Sequence, residues 1–432
     1  MLTAKAGIQT LLSAFVEPGF SFFRWNYIQV FFVSYPHYSV ISYPRLRIRN
    51  KEELRLMGGH LWAFSNELLD LPKDLATGSI VTLVRERDGS AIGNGFFHPN
   101  SLIAFRLLTR NANEEIDADF FARRIRESSE RRTLLRTRRN ALRLVHGESD
   151  LLPGLILDQY DRVLSYQMVS AGFEARKEMI VEILQKLFDP TAIVAKNNSH
   201  LRKLEGLPTE ESLIVGGDAK AKIHDTAGTH YYVDVLAGQK TGFYLDQMEN
   251  RARLRDFIRP GARVLDLFAN DGGFSMNAAL AGAASVVAVD ESRAALDRLT
   301  RNAELNGVQN KIQTVQSDCF EFIRESRDEF DVIILDPPAL AKSKKDIPNA
   351  RKGYLGLNSS AMRLLSRNGI LVTCSCSHHI DRGLLLDMLH EAGRRAKRTV
   401  TILEARGAGI DHPLLAAMPE TEYLKVFFLG VR

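Results

Sequence analysis

From position 236 onwards, short apolar runs alternate with stretches of helical period. The runs at 263–269, 285–290, 312–318, 330–336 and 369–376 are rich in Val, Ile and Leu and bounded by polar turns, so they predict strands. A helix is predicted over 293–306, ended by Gly307. Strands alternating with helices are the pattern of a parallel sheet covered on both faces. The chain before this region reads differently. Between 44 and 112 the pattern is β throughout: Leu46-Arg47-Ile48 alternates, and runs at 80–84, 93–97 and 103–108 are separated by turns such as Asp88-Gly89. A compact barrel-like module is expected there. Between 113 and 235 the signals are mixed. The runs 155–157 and 163–166 flank Asp161 as a hairpin would, and Ala175, Met179, Ile180, Ile183, Leu184 and Leu187 share one helical face. Strands follow at 192–195, 212–215 and 231–235. The expected organisation is multidomain α/β: an extension at 1–43, a β-barrel module at 44–112, a central α+β domain at 113–235 and a parallel-sheet domain at 236–432.

Composition refines this picture at three points. Residues 1–43 hold 11 of the chain's 36 aromatic residues, a break that marks them as an extension outside the globular pattern and expected to be poorly ordered. A signal peptide fits them badly, because Glu17-Pro18 follows the apolar run Ile8–Val16 and no small-residue cleavage site is evident. The three cysteines, Cys319, Cys374 and Cys376, are odd in number and clustered, which argues against structural disulfides and for a reducing cytoplasm. No stretch of about 18 apolar residues occurs, so no membrane span is expected.

Charge adds a further point. The whole chain carries a net +5, yet the segment 121–143 alone holds nine arginines against two glutamates. It reads as a helix over 119–143 with a basic face. Either that face is simply solvated, or it contacts phosphates through Arg131, Arg132, Arg138 and Arg139.

Candidate chemistry gathers at the predicted strand ends. The first strand of the parallel sheet runs through Asp266 into Asn270-Asp271-Gly272-Gly273, where glycines let backbone approach a ligand. The spacing is not the dinucleotide fingerprint, which disfavours an oxidoreductase. Asp266, Asp290, Asp318 and Asp336 close four successive strands, and ligands of open α/β sheets bind at those carboxyl ends. Asp290 is placed to accept ribose hydroxyls and Asp318 an adenine amine. The alternative for such residues is helix N-capping.

These residues carry a resemblance. The strand-end layout resembles the class I S-adenosylmethionine-dependent methyltransferases. The segment Gln239-Lys240-Thr241-Gly242-Phe243-Tyr244-Leu245-Asp246-Gln247, followed by Arg251, is similar to the ribosomal RNA large-subunit methyltransferase I family. So are Gly59-His60-Leu61-Trp62-Ala63-Phe64-Ser65-Asn66, Glu148-Ser149-Asp150, Arg202-Lys203-Leu204-Glu205-Gly206, Asp336-Pro337-Pro338, Ser375-Cys376-Ser377 and Asp411-His412-Pro413. The resemblance implies a PUA-like barrel, a central α+β domain and a Rossmann-like catalytic sheet. It implies S-adenosylmethionine as cofactor, held by Tyr244, Asp246, Gln247, Asp266, Asn270, Gly272, Asp290, Ser292, Asp318, Cys319 and Asp336. It implies large-subunit ribosomal RNA as partner and leaves a homodimer open; no membrane partner is expected, and no metal, because no third ligand is suitably spaced from His378-His379.

The implied reaction is methylation of cytosine carbon 5. That carbon becomes nucleophilic only when a thiolate adds to carbon 6, which calls for a cysteine beside the base and an acid at the pyrimidine edge. The two-residue period puts Cys374 and Cys376 on one strand face. Cys376 lies nearer the carboxyl end and matches the family's Ser-Cys-Ser, so it is the expected nucleophile, with Asp336 at the base. Ala339 stands where related RNA enzymes place a second cysteine, and the proton-removing base stays open among Lys342, His378 and a water on Asp336. Methylation of another base such as guanine, or a non-catalytic assembly factor, are the alternatives.

Overall fold

The alternation at 44–48 turns Leu46 and Ile48 inward and Arg45 and Arg47 outward, and it forms β1 (Arg45–Ile48). The structure is a computed structural model that describes residues 42–69, 71–72 and 74–432. The extension at 1–43 lies outside these except for its last two residues. Of those, Tyr43 accepts the Ile116 N–H at its hydroxyl, 2.9 Å away.

β1 joins β2 (Trp62–Phe64), β3 (Leu68–Leu69), β4 (Ile80–Arg85), β5 (Ala91–Phe97) and β6 (Ile103–Thr109) in one sheet, ordered β2-β6-β5-β4-β1-β3. Only the β1–β4 pair is parallel. Leu46, Ile48, Leu83, Phe97 and Phe105 fill its core.

The basic segment differs from its prediction. The helix runs only over Ala118–Glu130, capped by Asp117, whose Oδ1 accepts the Phe120 N–H at 2.8 Å. A single turn follows at Thr133–Arg136. The rest extends into β7 (Ala141–His146), because Leu142, Leu144 and Val145 bury more apolar surface in a sheet than on an arginine-rich helix. β7 pairs with β8 (Leu155–Tyr160), which returns through Asp161 (φ 55°) to β9 (Val163–Met168). β10 (Ala192–Asn197) and β11 (Glu210–Val215) complete the order β11-β10-β9-β8-β7, with the helix Lys177–Phe188 packed on it.

The hairpin of β12 (Lys220–His224) and β13 (His230–Asp234) packs onto the helices of the next domain. Backbone N–H groups of His230 and Tyr232 donate to Asn306 and Asn302, each at 2.9 Å.

The C-terminal sheet contains β14 (Arg263–Leu267), β15 (Ser285–Asp290), β16 (Ile312–Gln316), β17 (Phe330–Leu335), β18 (Leu365–Ser375), β19 (Val400–Arg406) and β20 (Lys425–Val431), in the order β16-β15-β14-β17-β18-β20-β19. The first five are parallel and β20 runs antiparallel to both neighbours. Apolar clusters cover both faces of the sheet. The strand order reverses between β14 and β17, so the carboxyl ends there leave a crevice.

Candidate active site

At that crevice the chain leaves β14 through two residues with positive φ, Phe268 (63°) and Asn270 (45°), and enters the helix Gly273–Leu280 after Gly272 (81°). A Cβ on Gly273 would lie 2.3 Å from Nε of Arg251, so glycine is what lets the buried guanidinium pass beneath the turn. The result is a cavity of about 500 Å³. Of the predicted residues, Tyr244, Asp246, Gln247, Asn270 and Asp290 line it, as do Asp318, Cys319, Asp336 and Cys376.

Asp266, Gly272 and Ser292 are outside its walls, each for a visible reason. Asp266 is buried behind the wall, where its Oδ2 accepts the Ser275 hydroxyl at 2.6 Å and burial pushes its pKa up to about 7. Gly272 packs against Leu299 and Met276. Ser292 caps the helix Arg293–Leu305, its Oγ accepting the Ala295 N–H at 3.3 Å.

One half of the cavity is built for a nucleoside. Asp290 stands at the end of β15, its two oxygens accepting the N–H groups of Asn270 and Ser292, each at 2.9 Å. Those bonds fix the carboxylate and leave further lone pairs toward the cavity. Asp318 also caps a helix: its Oδ1 accepts the N–H groups of Phe320 (2.7 Å) and Glu321 (3.0 Å). The rings of Phe268 and Phe320 meet edge to face at 5.8 Å beside it, forming an apolar slot.

The other half carries charge. The Lys240 ammonium lies 2.7 Å from Asp246 and 4.2 Å from the Tyr244 ring centre. The Tyr423 hydroxyl donates to the same Asp246 oxygen at 2.7 Å. Burial alone would raise the Asp246 pKa, but Lys240 and its hydrogen bonds hold it well below the usual carboxylate range. Asp336 is raised by burial, against the opposing pull of the Arg251 guanidinium. Its Oδ1 accepts Gln247 Nε2 at 3.0 Å, and Asn250 holds the other end of that amide at 2.7 Å.

The two cysteines part company here. Cys374 is fully buried among the core residues Val372, Val426 and Phe428. Cys376 lies one residue beyond β18 and lines the cavity, with Sγ 3.9 Å from the Pro337 carbonyl. Burial pushes its thiol up to about 11, opposed first by Lys240. Lys342 and His378 are exposed and outside the cavity walls, whereas Asp336 is in them.

Among the further residues that line the cavity but were not expected there are Lys240, Arg251 and Phe320. The segment 239–251 had the signal for the first two, since a lysine and an arginine flank its acidic and amide residues. Arg251 is buried with its Nε unpartnered, and Asp246 Oδ1, Asp266 Oδ1 and Asn270 Oδ1 are buried and unpartnered too. Buried polar groups are costly without partners, so this set fits a polar, zwitterionic ligand.

The arginine segment is a correction. Arg132 is buried, with its guanidinium 2.6 Å from Asp150. Arg139 is wholly buried 2.9 Å from Asp411. Neither guanidinium is open to solvent. Arg131 shares Asp150 at 2.8 Å, and Arg143 forms a two-pronged bond with Asp158, each arm 2.8 Å. Arg138 is exposed. Five of the nine arginines, Arg123, Arg131, Arg132, Arg139 and Arg143, pair with carboxylates outside the segment, namely Glu114, Asp150, Asp411 and Asp158.

Comparison with known proteins agrees with this construction. Residues 46–110 match a family profile described as a PUA-like domain, and residues 222–352 match one described as a TRM5/TYW2 methyltransferase domain. A solved structure described as a proposed methyltransferase complexed with SAH superposes with a TM-score of 0.78 at 20% identity, over 90% of this chain and all of that one. A proposed SAM-dependent methyltransferase from Streptococcus mutans gives 0.76 with the same identity and coverage. Fold and cavity together define a methyltransferase with a PUA-like module. The ribosomal RNA large subunit methyltransferase I of Klebsiella pneumoniae (strain 342) is 35% identical over 392 residues, 89% of this chain and 98% of the relative. That of Shewanella amazonensis is 39% identical over 388 residues, 88% and 98% of the two chains. The chain belongs to the ribosomal RNA large subunit methyltransferase I family.

Proposed function

We propose that the chain forms 5-methylcytosine in large-subunit ribosomal RNA through a covalent bond from Cys376, with S-adenosylmethionine as methyl donor. The observation that carries this reading is that Cys376 lines the cavity, as Asp336 does, while Cys374 is fully buried behind it with its thiol against Asp336 and Gln247. Groups in the walls fit the donor: Asn270 suits its ammonium, Arg251 its carboxylate, Asp290 its ribose and the Phe268–Phe320 slot its adenine, while Asp266 holds Ser275 behind the wall. Bound there, the donor supplies an electrophilic methyl group.

The chain's own groups do the rest. Cys376 loses its thiol proton to solvent, the Lys240 ammonium favouring the thiolate, and addition of Sγ to carbon 6 of cytosine makes carbon 5 enamine-like and nucleophilic. Asp336, whose raised pKa favours the protonated acid, donates to nitrogen 3 and disperses the charge that addition creates. Once carbon 5 carries its methyl group, loss of the carbon-5 proton to a base expels the Cys376 thiolate, and nitrogen 3 gives its proton up to solvent, which restores the neutral ring. Asp336, deprotonated by its donation, is the candidate base in the cavity wall.

RNA carrying 5-fluorocytosine at the target tests this, because fluorine cannot leave as a proton does. Wild type should be trapped as an adduct. Cys376→Ala should lose both methylation and adduct while retaining cofactor binding, and Cys374→Ala should keep most activity. An adduct with Cys376→Ala but none with Cys374→Ala would move the nucleophile. Methylated guanine with no adduct would replace cytosine as the target.

A further inference from the structure

With Arg132 and Arg139 turned inward, the strand that presents the target base needs another holder. Cys376 and Asp336 sit in a recessed cavity, so a base can meet them only by leaving its stack and entering. The phosphates on either side of that nucleotide must then ride the rim. Pro337, Pro338 and Ala339 form part of the wall, and the chain runs directly from them into the loop 340–346. Its Ala341 N–H donates to Ser377 Oγ at 3.2 Å, tying the loop to the residue after Cys376. The Tyr354 hydroxyl fixes the same segment from below, 2.9 Å from Ser375 Oγ and 3.2 Å from Ser377 Oγ.

Lys342, Lys344 and Lys345 are all exposed on this loop. Among the described residues none of the three has an ion-pair partner, unlike Arg131, Arg132, Arg139 and Arg143. The loop's one carboxylate, Asp346, is turned back on its own backbone, accepting the Ser343 N–H at 2.8 Å and the Ser343 hydroxyl at 2.9 Å. Three uncommitted ammonium groups on an anchored loop beside the cavity thus face solvent.

We propose that Lys342, Lys344 and Lys345 form the phosphate-contacting rim of the active site and hold the single-stranded RNA backbone that flanks the target base. The proposal rests on the RNA substrate inferred above. Each phosphate contact on a single strand adds about 0.7 to the slope of log K against log salt. In the full-length protein, Lys342→Gln, Lys344→Gln and Lys345→Gln combined should flatten that slope by about 2 for deproteinised large-subunit ribosomal RNA. KM for RNA should rise at least tenfold with kcat within about twofold, since these groups touch the backbone rather than the reacting base. The triple Lys→Arg variant should restore slope and KM. The exposed Arg138→Gln should change the slope by less than half of one contact. An unaltered slope in the triple Gln variant, or a fall in kcat with slope and KM unchanged, would overturn the assignment. A wild type with no salt-dependent RNA binding would overturn the RNA reading itself and this rim with it.

Discussion

At the scale of single residues, Cys376 and Lys240 form the pair that decides the chemistry. A thiol pushed up to about 11 is almost wholly protonated near neutral pH, so alkylation of Cys376 should quicken steadily as pH rises from 7 towards 11. The Lys240 ammonium favours the charged thiolate, and a nearby opposite charge shifts such an equilibrium by roughly tenfold or more. Lys240→Met should therefore slow Cys376 alkylation at pH 8 by about tenfold, read by mass mapping of the modified peptide. An unchanged rate profile would free Lys240 from that role. The sequence offered the two cysteines but could not separate them by strand period alone, because both share a face of one predicted strand. The end of β18 at Ser375 makes the difference: Cys374 remains inside the sheet and Cys376 is released to the cavity. Strand ends shift by a residue or two on tertiary demands that no local pattern encodes.

At the scale of elements, the β and α runs of the catalytic sheet were legible because buried parallel strands are continuous apolar runs between turns. The segment 119–143 was not, because the arginines masked a strand and their partners lie elsewhere in the chain. Asp411, near the C-terminus, receives Arg139 at 2.9 Å and the Arg143 N–H at 2.9 Å. Burial would raise its pKa, but His412 and Arg139 hold it well below the usual carboxylate range. A depressed carboxylate stabilises the fold above its unfolded pKa of about 4, and that stabilisation is lost as pH falls through the folded value. Asp411→Asn should therefore cost most at neutral pH and progressively less in acid. Removing one partner of a buried pair costs about 3–5 kcal/mol. Chemical denaturation should show that loss for Arg139→Gln, whereas Arg138→Gln, exposed, should stay within about 0.5 kcal/mol. Equal effects of the two substitutions would contradict the buried pair.

At the scale of the whole molecule, several stretches that carried the family resemblance are joints between domains. Glu205, in the Arg202–Gly206 stretch, accepts the Ser101 hydroxyl at 2.7 Å and the Arg106 guanidinium at 2.8 Å, reaching from the central domain into the PUA-like sheet. His98 Nε2 lies 3.0 Å from the Glu205 carbonyl, and Trp62 Nε1 donates to Glu148 at 3.1 Å. On the opposite side, Asp158 of the central sheet accepts the Thr241 hydroxyl, and Arg132 donates to the Asp411 carbonyl at 3.0 Å. The sequence showed that such stretches were distinctive but not what they touch, since each partner belongs to another domain. The described residues accordingly form one compact unit. These joints couple unfolding of the domains, so wild type should melt in a single transition. Glu205→Ala leaves the buried Arg106 without its nearest carboxylate, although Glu148 stands 3.8 Å away. The loss should fall at or below the lower end of the 3–5 kcal/mol range, and it should fall on the PUA-like sheet first. Calorimetry of Glu205→Ala should then resolve an earlier transition for that sheet, with the catalytic sheet melting near the wild-type temperature. A single transition displaced as a whole would mean that the joints to the catalytic sheet, rather than Glu205, set the cooperativity.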